Sequence, residues 1–387
     1  MYMKKLTRFE KKELYNRLTE SFGVNADVLE WSVFIKNILY EQIVGFTEKL
    51  EDKDFYTKTL KQLDKDDDDS YTNTVEIYLD EFILNEQIDE KISKNNSIKL
   101  RDFKIDFILT FIDNVDFELN YFNAFYNDTD AFLDEDKNLI GANFFFDFYI
   151  PYDYLDLEKN DINTLTNFLI KNEKIDTKVD GMIAHEMTHS LEFYNRKLNG
   201  AETFPDRLTN FLINTYKDDN ITNLTNDWKP FLNLVYLDLS FERNARIPQL
   251  YSMIKNENIE NEKDFFNVVS KSEVWNDMIQ LRDFNAKDYY DVFSYNMSDD
   301  DIDTVLSEYK GTTKDKIFKV LLEKWNSIMD LVNEDFEKYG DTKLKKLTLY
   351  TLDNPMKFLT YWEKRFHFHW DDFNKKINRL YSITKNK

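Results

Sequence analysis

Two histidines and a glutamate lie within one short stretch of the sequence. His185, Glu186 and His189 form the pattern H-E-x-x-H and use two of the four histidines of the chain. Residues four apart on an α-helix differ by about 40° around its axis, so both imidazoles lie on one face, one turn apart. Two imidazoles so placed can bind one zinc ion at about 2 Å. Glu186 lies beside that position, where its carboxylate can act as a general base.

The residues around the motif predict a helix over 178–198 with one buried side. Ile183, Met187 and Leu191 recur at four-residue spacing on the side away from the histidines, as in a helix that packs against a core. Gly200 is placed to end this helix. The alternative is a chance match to a short motif on a solvent-facing helix that binds no metal.

A catalytic zinc site usually has three protein ligands and a fourth position open to water, so a third ligand is expected. Asn195, not a histidine, stands six residues after His189. Glu192 is the nearest acid on the same helix face. However, it lies about 10 Å along the axis from His185, and three ligands on one straight helix do not converge well on one ion. Glu192 is therefore expected at the surface or outside the ligand set, with a more distant residue as the third ligand.

The best candidate is Glu242, in the segment 229–247, whose pattern predicts a helix starting at Pro230. Asp238 and Glu242 fall on the apolar stripe of this helix, which should face the interior. A buried ionised carboxylate is costly unless it is paired or bound to a metal, and zinc would satisfy Glu242. Ala245, one turn later, is small enough to let this helix approach the first one closely.

Both acids also have a structural interpretation. Glu242 could pair with Arg243 or Arg246 instead of a metal. Asp238 could orient a ligand imidazole by accepting its free N–H. A purely structural role is the interpretation that we favour for Asp238.

These segments resemble the zincin metallopeptidases, in the arrangement of the gluzincins. HEMTH, followed on a later helix by ERNAR (residues 242–246), is similar to their H-E-x-x-H motif with a downstream E-x-x-A. The matching residues cover a small part of the chain and point to this superfamily rather than to a narrower family. The resemblance implies zinc bound by His185, His189 and Glu242, with Glu186 as the catalytic general base.

The resemblance also implies a fold and a group that stabilises the transition state. Zincins have a small twisted sheet ahead of the active helix, and its edge strand pairs with extended substrate. The segment 141–150, GANFFFDFYI, is predicted to be that strand. A histidine or tyrosine usually stabilises the oxyanion in this superfamily. His369, at the margin of an apolar helical stripe, is a candidate, and a structural histidine is the default interpretation.

The composition limits the kinds of partner that the chain is expected to bind. Its 387 residues include no cysteine and carry a formal net charge of −22. Disulfides and thiolate ligands are therefore excluded. Nucleic acid and anionic membranes are not expected as main partners, because they bind clustered cations. A peptide or protein substrate remains compatible with this charge.

The chain shows no signal for secretion or membrane insertion. No apolar run approaches the ~18 residues of a membrane span, and the N-terminus lacks the apolar segment of a signal peptide. Asn, Lys and Ile are abundant, a bias of A/T-rich genes such as those of many phages. We expect a cytoplasmic protein, or one released by lysis or packaged in a virion if a phage encodes it.

The periodicity of apolar residues predicts an α+β, mostly helical fold in three regions. Residues 1–70 are predicted as an N-terminal helical region. Residues 71–255 are predicted as a zincin-like core, with a small antiparallel sheet over 72–154 ahead of the active helix 178–198 and the Glu242 helix 229–247. Residues 256–387 are predicted as a helical C-terminal region.

Taken together, the residues predict a zinc-dependent metallopeptidase that hydrolyses peptide bonds in a peptide or protein. The alternative is a non-catalytic structural or interaction protein with a zincin-like fold, for example a component of a phage particle. A toxin or effector peptidase with one host target is a third interpretation, which no delivery feature of the sequence supports.

Overall fold

A computed structural model gives the fold over most of the chain. It describes residues 26–63, 70–78, 98–101, 103–112, 122–128, 130–151, 154, 162–199, 224–255, 257–339, 349–350 and 354–384. Residues 1–25 of the predicted N-terminal helical region and the predicted helix end at Gly200 lie outside the described residues.

The described residues form a mostly helical α+β arrangement with one small sheet. The strands are β1 (Ser70–Tyr78), β2 (Lys104–Ile112), β3 (Phe122–Asn127), β4 (Phe132–Leu133), β5 (Leu139–Ile140) and β6 (Asn143–Pro151). The helices are α1 (Ala26–Lys49), α2 (Lys53–Leu63), α3 (Ile162–Lys171), α4 (Glu173–Leu198), α5 (Trp228–Leu237), α6 (Ser240–Ile254), α7 (Glu262–Val269), α8 (Glu273–Asp283), α9 (Ala286–Val292), α10 (Asp299–Val305), α11 (Thr313–Tyr339) and α12 (Pro355–Thr384).

The main sheet is mixed rather than antiparallel. Its strand order is β1-β2-β6-β3, and β4 pairs with β5 in a separate short ribbon. β1 pairs with β2 and β3 pairs with β6 in antiparallel fashion, but β2 and β6 run parallel. The prediction of a purely antiparallel sheet was therefore wrong at this one pairing. Alternation along a strand reports which side chains are buried, not which strand lies beside it or in which direction.

Strand β6 lies inside the sheet, not at its edge. The segment 141–150 was predicted as the edge strand, but β6 is paired on both sides, with β2 and with β3. Phe144, Phe146 and Phe148 alternate along one face of β6 and are fully buried. Among the described strands, β3 is the outer strand on the side of β6.

The described residues divide into two compact units. The first combines those of Met1–Leu198, Asn244–Val269 and Arg379–Lys387, and the second combines those of Asn199–Arg243 and Ser270–Asn378. Helix α6 is continuous through one of these divisions, since Ser240–Arg243 counts with the second unit and the rest of the helix with the first.

The hydrophobic core of the first unit includes residues from more than one of the three predicted regions. In the first unit, Trp31 and Phe34 of α1 join Phe107 and Phe146 of the sheet and Met187 of α4 in one cluster of buried side chains. Helix α1 therefore packs in one core with the sheet and α4.

The second unit is built around an aromatic centre. The ring of Phe231, in α5, lies within 6.3 Å of six other aromatic rings, and Phe231 itself is fully buried. These rings belong to Trp228, Phe284, Tyr289, Phe358, Trp362 and Phe366. Aromatic packing of this density fixes α5 against the C-terminal helix α12.

The helix predicted over 229–247 is broken into α5 and α6. The break falls at Asp238 and Leu239, where Leu239 N–H bonds to the carbonyl of Tyr236 instead of continuing the α-helical ladder. The side chain of Arg243 donates to the carbonyl of Asp238 at 2.9 Å and so satisfies an acceptor at the helix end. Local periodicity did not reveal this break.

In the part of the chain that the structure describes, no helix is both long and apolar enough to cross a bilayer.

Candidate metal centre

The H-E-x-x-H motif lies in α4, a helix with buried polar as well as apolar side chains. Ile183 and Met187 belong to the core of the first unit. Asp180, His185 and Glu186 are also buried, with exposed fractions of 5%, 8% and 7%. Buried polar groups require hydrogen-bond or charged partners. The partners of these three side chains outline the candidate site.

His185 and His189 face each other across one turn of α4. Their ring planes meet at 86°, and their Nε2 atoms are 3.0 Å apart. Two nitrogens on one tetrahedral zinc ion lie about 3.3 Å apart, because each is about 2 Å from the metal. The pair thus has nearly the spacing that a shared ion requires. The same spacing suits a hydrogen bond between the rings, in which one Nε2 carries a proton.

Glu186 reaches from α4 to the sheet. Its Oε2 accepts a hydrogen bond from the backbone N–H of Tyr126, in β3, at 2.8 Å. Because Glu186 of α4 accepts this N–H, the N–H points away from β6, the strand that pairs with β3. The carboxylate that follows the first histidine is therefore anchored to the outer strand of the sheet.

Helix α6 lies alongside α4 and runs in the opposite direction. Asn244 donates to Oε1 of Glu192 at 2.8 Å, and Lys255, just after α6, forms an ion pair with Asp180 at 2.9 Å. Residue numbers rise along α6 as they fall along α4, so the two helices are antiparallel. The two contacts span about 16 Å of α6. They also show that Glu192 bonds to Asn244, in keeping with a place outside the ligand set.

Small residues allow the two helices to approach closely. A Cβ atom at Gly181 would lie 2.7 Å from Cγ of Met253, closer than real side chains pack. Ala245, which was expected to permit a close approach, is fully buried on α6. The crossing of the helices is therefore tight at Gly181.

Gln249 is a member of the site that the sequence did not reveal. Its Oε1 lies 3.1 Å from Nδ1 of His185, and its exposed fraction is 5%. Gln249 follows Glu242 by seven residues, about two helical turns, and so shares its face of α6. This spacing was a signal in the sequence, but a glutamine on an apolar face has no distinctive chemistry.

Glu242 lies in the first turn of α6 and completes a group of three donors. One ligand atom from each of His185, His189 and Glu242 lies within 4.8 Å of the other two. The exposed fraction of Glu242 is 1%. The Tyr236 hydroxyl donates to Oε1 of Glu242. The structure thus brings together the three residues that were predicted as metal ligands.

The donor set fits a zinc ion. Two imidazole nitrogens and one carboxylate oxygen are typical of catalytic zinc sites with three protein ligands. His185 meets a further requirement, because its Nδ1 faces an acceptor and its Nε2 faces His189. A metal-bound histidine usually donates its other ring N–H to such an acceptor.

The two weaker candidates, Asp238 and His369, are brought together with each other. Nδ1 of His369 lies against Oδ1 of Asp238, and Nε of Arg365 lies against Oδ2. Asp238 is completely buried, and all three residues belong to the second unit. Asp238 thus contacts an imidazole, as predicted for an orienting residue, but the imidazole is that of His369 rather than a ligand histidine.

A second arginine adds to this buried cluster. Burial lowers the pKa of the Arg243 guanidinium, and the negative charge of Asp238 opposes this effect. Asp238 is therefore surrounded by positively charged and hydrogen-bonding partners within its own unit. This environment supports the structural interpretation of Asp238 and places His369 in an ionic cluster.

Compared with known protein families, with curated proteins and with solved structures, the chain gives no match.

Proposed function

We propose that this protein is a zinc-dependent metallopeptidase. The observation that carries the proposal is the convergence of His185 and His189, on α4, with Glu242, on α6, to within 4.8 Å of one another. These are the three residues that the sequence pattern selects as ligands, and they come from segments more than 50 residues apart.

Each residue of the site has a chemical role in this proposal. His185, His189 and Glu242 hold the metal. Zinc in such a site supplies Lewis acidity, which polarises a peptide carbonyl and makes water acidic near neutral pH. Glu186 accepts the proton of the attacking water and passes it to the leaving amine.

The anchoring of Glu186 supports this role. A general base must be held within hydrogen-bond reach of the proton that it accepts. The Tyr126 N–H fixes one carboxylate oxygen of Glu186 at 2.8 Å, so the side chain has a defined direction. The same contact places Glu186 beside β3, an outer strand along which an extended peptide could pair.

Zinc content and hydrolysis test the proposal separately. Wild-type protein is expected to bind one zinc per chain by metal analysis and to cleave members of a proteome-derived peptide library, read by mass spectrometry. Glu242→Ala should lose both properties. Glu186→Gln should keep zinc and lose about 10²- to 10⁴-fold of the hydrolytic rate, the usual contribution of a general base.

The outcomes separate the peptidase from its alternative. Hydrolysis at the wild-type rate in Glu186→Gln would exclude the proposed mechanism. Zinc bound at one per chain, with no cleavage of the library, would favour a non-catalytic protein in which the metal acts as a structural element. The absence of zinc from the wild-type protein would remove the proposal.

A further inference from the structure

We infer that Gln249 positions the ring of His185 for metal binding by fixing which ring nitrogen carries the proton. The inference rests on the proposed function, since it concerns the same metal centre. Gln249 lies on α6 and His185 on α4, so the contact joins the two helices that supply the metal ligands.

The orientation of the Gln249 amide follows from its second neighbour. Nη1 of Arg246 lies 3.4 Å from Oε1 of Gln249, the same atom that faces Nδ1 of His185. A guanidinium group can only donate hydrogen bonds, so the atom between Arg246 and His185 must be the amide oxygen. Because that oxygen can only accept, Nδ1 of His185 must be the donor.

This requirement determines the state of the other ring nitrogen. A neutral imidazole with its proton on Nδ1 has a lone pair on Nε2. Nε2 of His185 is the atom that faces His189, at 3.0 Å. Gln249 therefore selects the tautomer of His185 in which Nε2 can bind a metal.

The burial of both side chains strengthens this selection. Gln249 and His185 have exposed fractions of 5% and 8%, so water competes weakly for their hydrogen bond. Without an acceptor at residue 249, a proton on Nδ1 would be buried without that bond. The ring would then gain by moving the proton to Nε2 and donating to His189, which blocks the metal-binding nitrogen.

The acceptor is a neutral amide, and this has a measurable consequence. A carboxylate in this position makes a metal-bound histidine more basic than an amide does. Gln249→Glu would place a carboxylate between His185 and the guanidinium of Arg246. This variant keeps the acceptor and should bind zinc at least as tightly as the wild-type protein.

A matched contact on the same two helices provides the control. Asn244, also on α6, donates a side-chain amide hydrogen bond to Glu192 of α4 at 2.8 Å. This bond joins α4 to α6, as the Gln249 bond does, but it touches neither histidine of the pair. Asn244→Ala therefore removes an interhelical amide contact without changing the partner of His185.

The experiment measures zinc affinity by competition with a chromophoric chelator for the full chain and its variants. Gln249→Met, similar in size but without an acceptor, is expected to weaken zinc binding about 10- to 100-fold. Gln249→Glu should restore wild-type affinity or exceed it, and Asn244→Ala should bind zinc like the wild-type protein. Circular dichroism of each metal-free variant establishes that it is folded.

A second readout follows the proton directly. In metal-free protein with ¹⁵N-labelled histidine, the NMR shifts of His185 should report a proton on Nδ1 in the wild-type chain and a loss of that preference in Gln249→Met. Wild-type zinc affinity in Gln249→Met, or equal weakening in Gln249→Met and Asn244→Ala, would overturn the inference and leave the proposed function standing. A wild-type chain that binds no zinc would refute both.

Discussion

His185 and His369 are both buried histidines whose Nδ1 faces a side-chain acceptor, yet the charges around them differ. In the first unit, His185 faces the neutral amide of Gln249, and its other nitrogen faces His189. In the second unit, His369 faces the carboxylate of Asp238, which also contacts Arg365. One histidine belongs to a group of metal-donor atoms, and the other to an ion-paired cluster.

Two similar contacts at Nδ1 therefore occur in different electrostatic surroundings. The carboxylate of Asp238 contacts Arg365 and His369 and lies near Arg243, so its charge is compensated within its own unit. The group of His185, His189 and Glu242 combines two imidazoles with one carboxylate, a set that a divalent cation complements. Both histidines are buried, so they differ in the side chains around them and not in their exposure to solvent.

The largest expected effect is on zinc affinity, which should depend on which histidine is removed. His189→Ala should lose zinc affinity by at least about 1000-fold, or about 4 kcal/mol, since a ligand contributes a large share of the binding free energy. His369→Ala should keep wild-type affinity, because its partner is Asp238. Chelator competition measures both, and equal losses in the two variants would erase the distinction between the histidines.

The next effect concerns the ionic cluster. Asp238→Ala leaves Arg365 and His369 without their shared acid and should lower the free energy of unfolding by about 3 kcal/mol, the lower end for a buried pair that loses one partner. Urea denaturation measures this loss. The double variant Asp238→Ala with Arg365→Met should recover part of it, and a single variant as stable as the wild-type protein would show that the cluster is not stabilising.

Metal removal should change the Tm of the His185 and His369 variants differently. A ligand present at 100 times its Kd stabilises a folded protein by about 2.7 kcal/mol, so chelation of zinc should lower the Tm of the wild-type chain. His369→Ala should show the same decrease, whereas His185→Ala should show none. A decrease that persists in His185→Ala would place the bound metal elsewhere.

The smallest expected effect tests the packing of α4 against α6 near the candidate metal centre. Gly181→Ala adds a methyl group against Met253 and should cost about 1–2 kcal/mol relative to Gly45→Ala, where the added methyl group meets no atom within 4 Å. Thermal unfolding of the two variants measures the difference. Equal stability would show that α4 and α6 can separate slightly without cost.

Part of the candidate site could be predicted because helical spacing determines which residues share a face. His185 and His189 lie one turn apart on a helix, and Glu242 shares an interior stripe with Ala245, and these relations follow from residue numbers alone. Whether Glu242 is a ligand remains a prediction that metal analysis can test. The α+β, mostly helical class also followed from periodicity.

Other features depend on partners that periodicity does not encode. The parallel pairing of β2 with β6 joins strands that β3, β4 and β5 separate in the chain. The side chain of Asp238, at the break between α5 and α6, contacts residues of α12. Gln249 was missed for the same reason. Its position on the face of Glu242 is visible in the sequence, but the ring nitrogen that it contacts depends on how α6 docks against α4.

The bond between Glu186 and residue 126 uses a main-chain donor, and this sets its tolerance to mutation. Every amino acid except proline supplies an amide hydrogen at that point, so this hydrogen bond does not depend on the identity of the side chain. The ring of Tyr126 packs against Phe144 and Phe193, so substitutions at position 126 should act through this packing and leave the carboxylate anchored, with proline as the residue that removes the anchor.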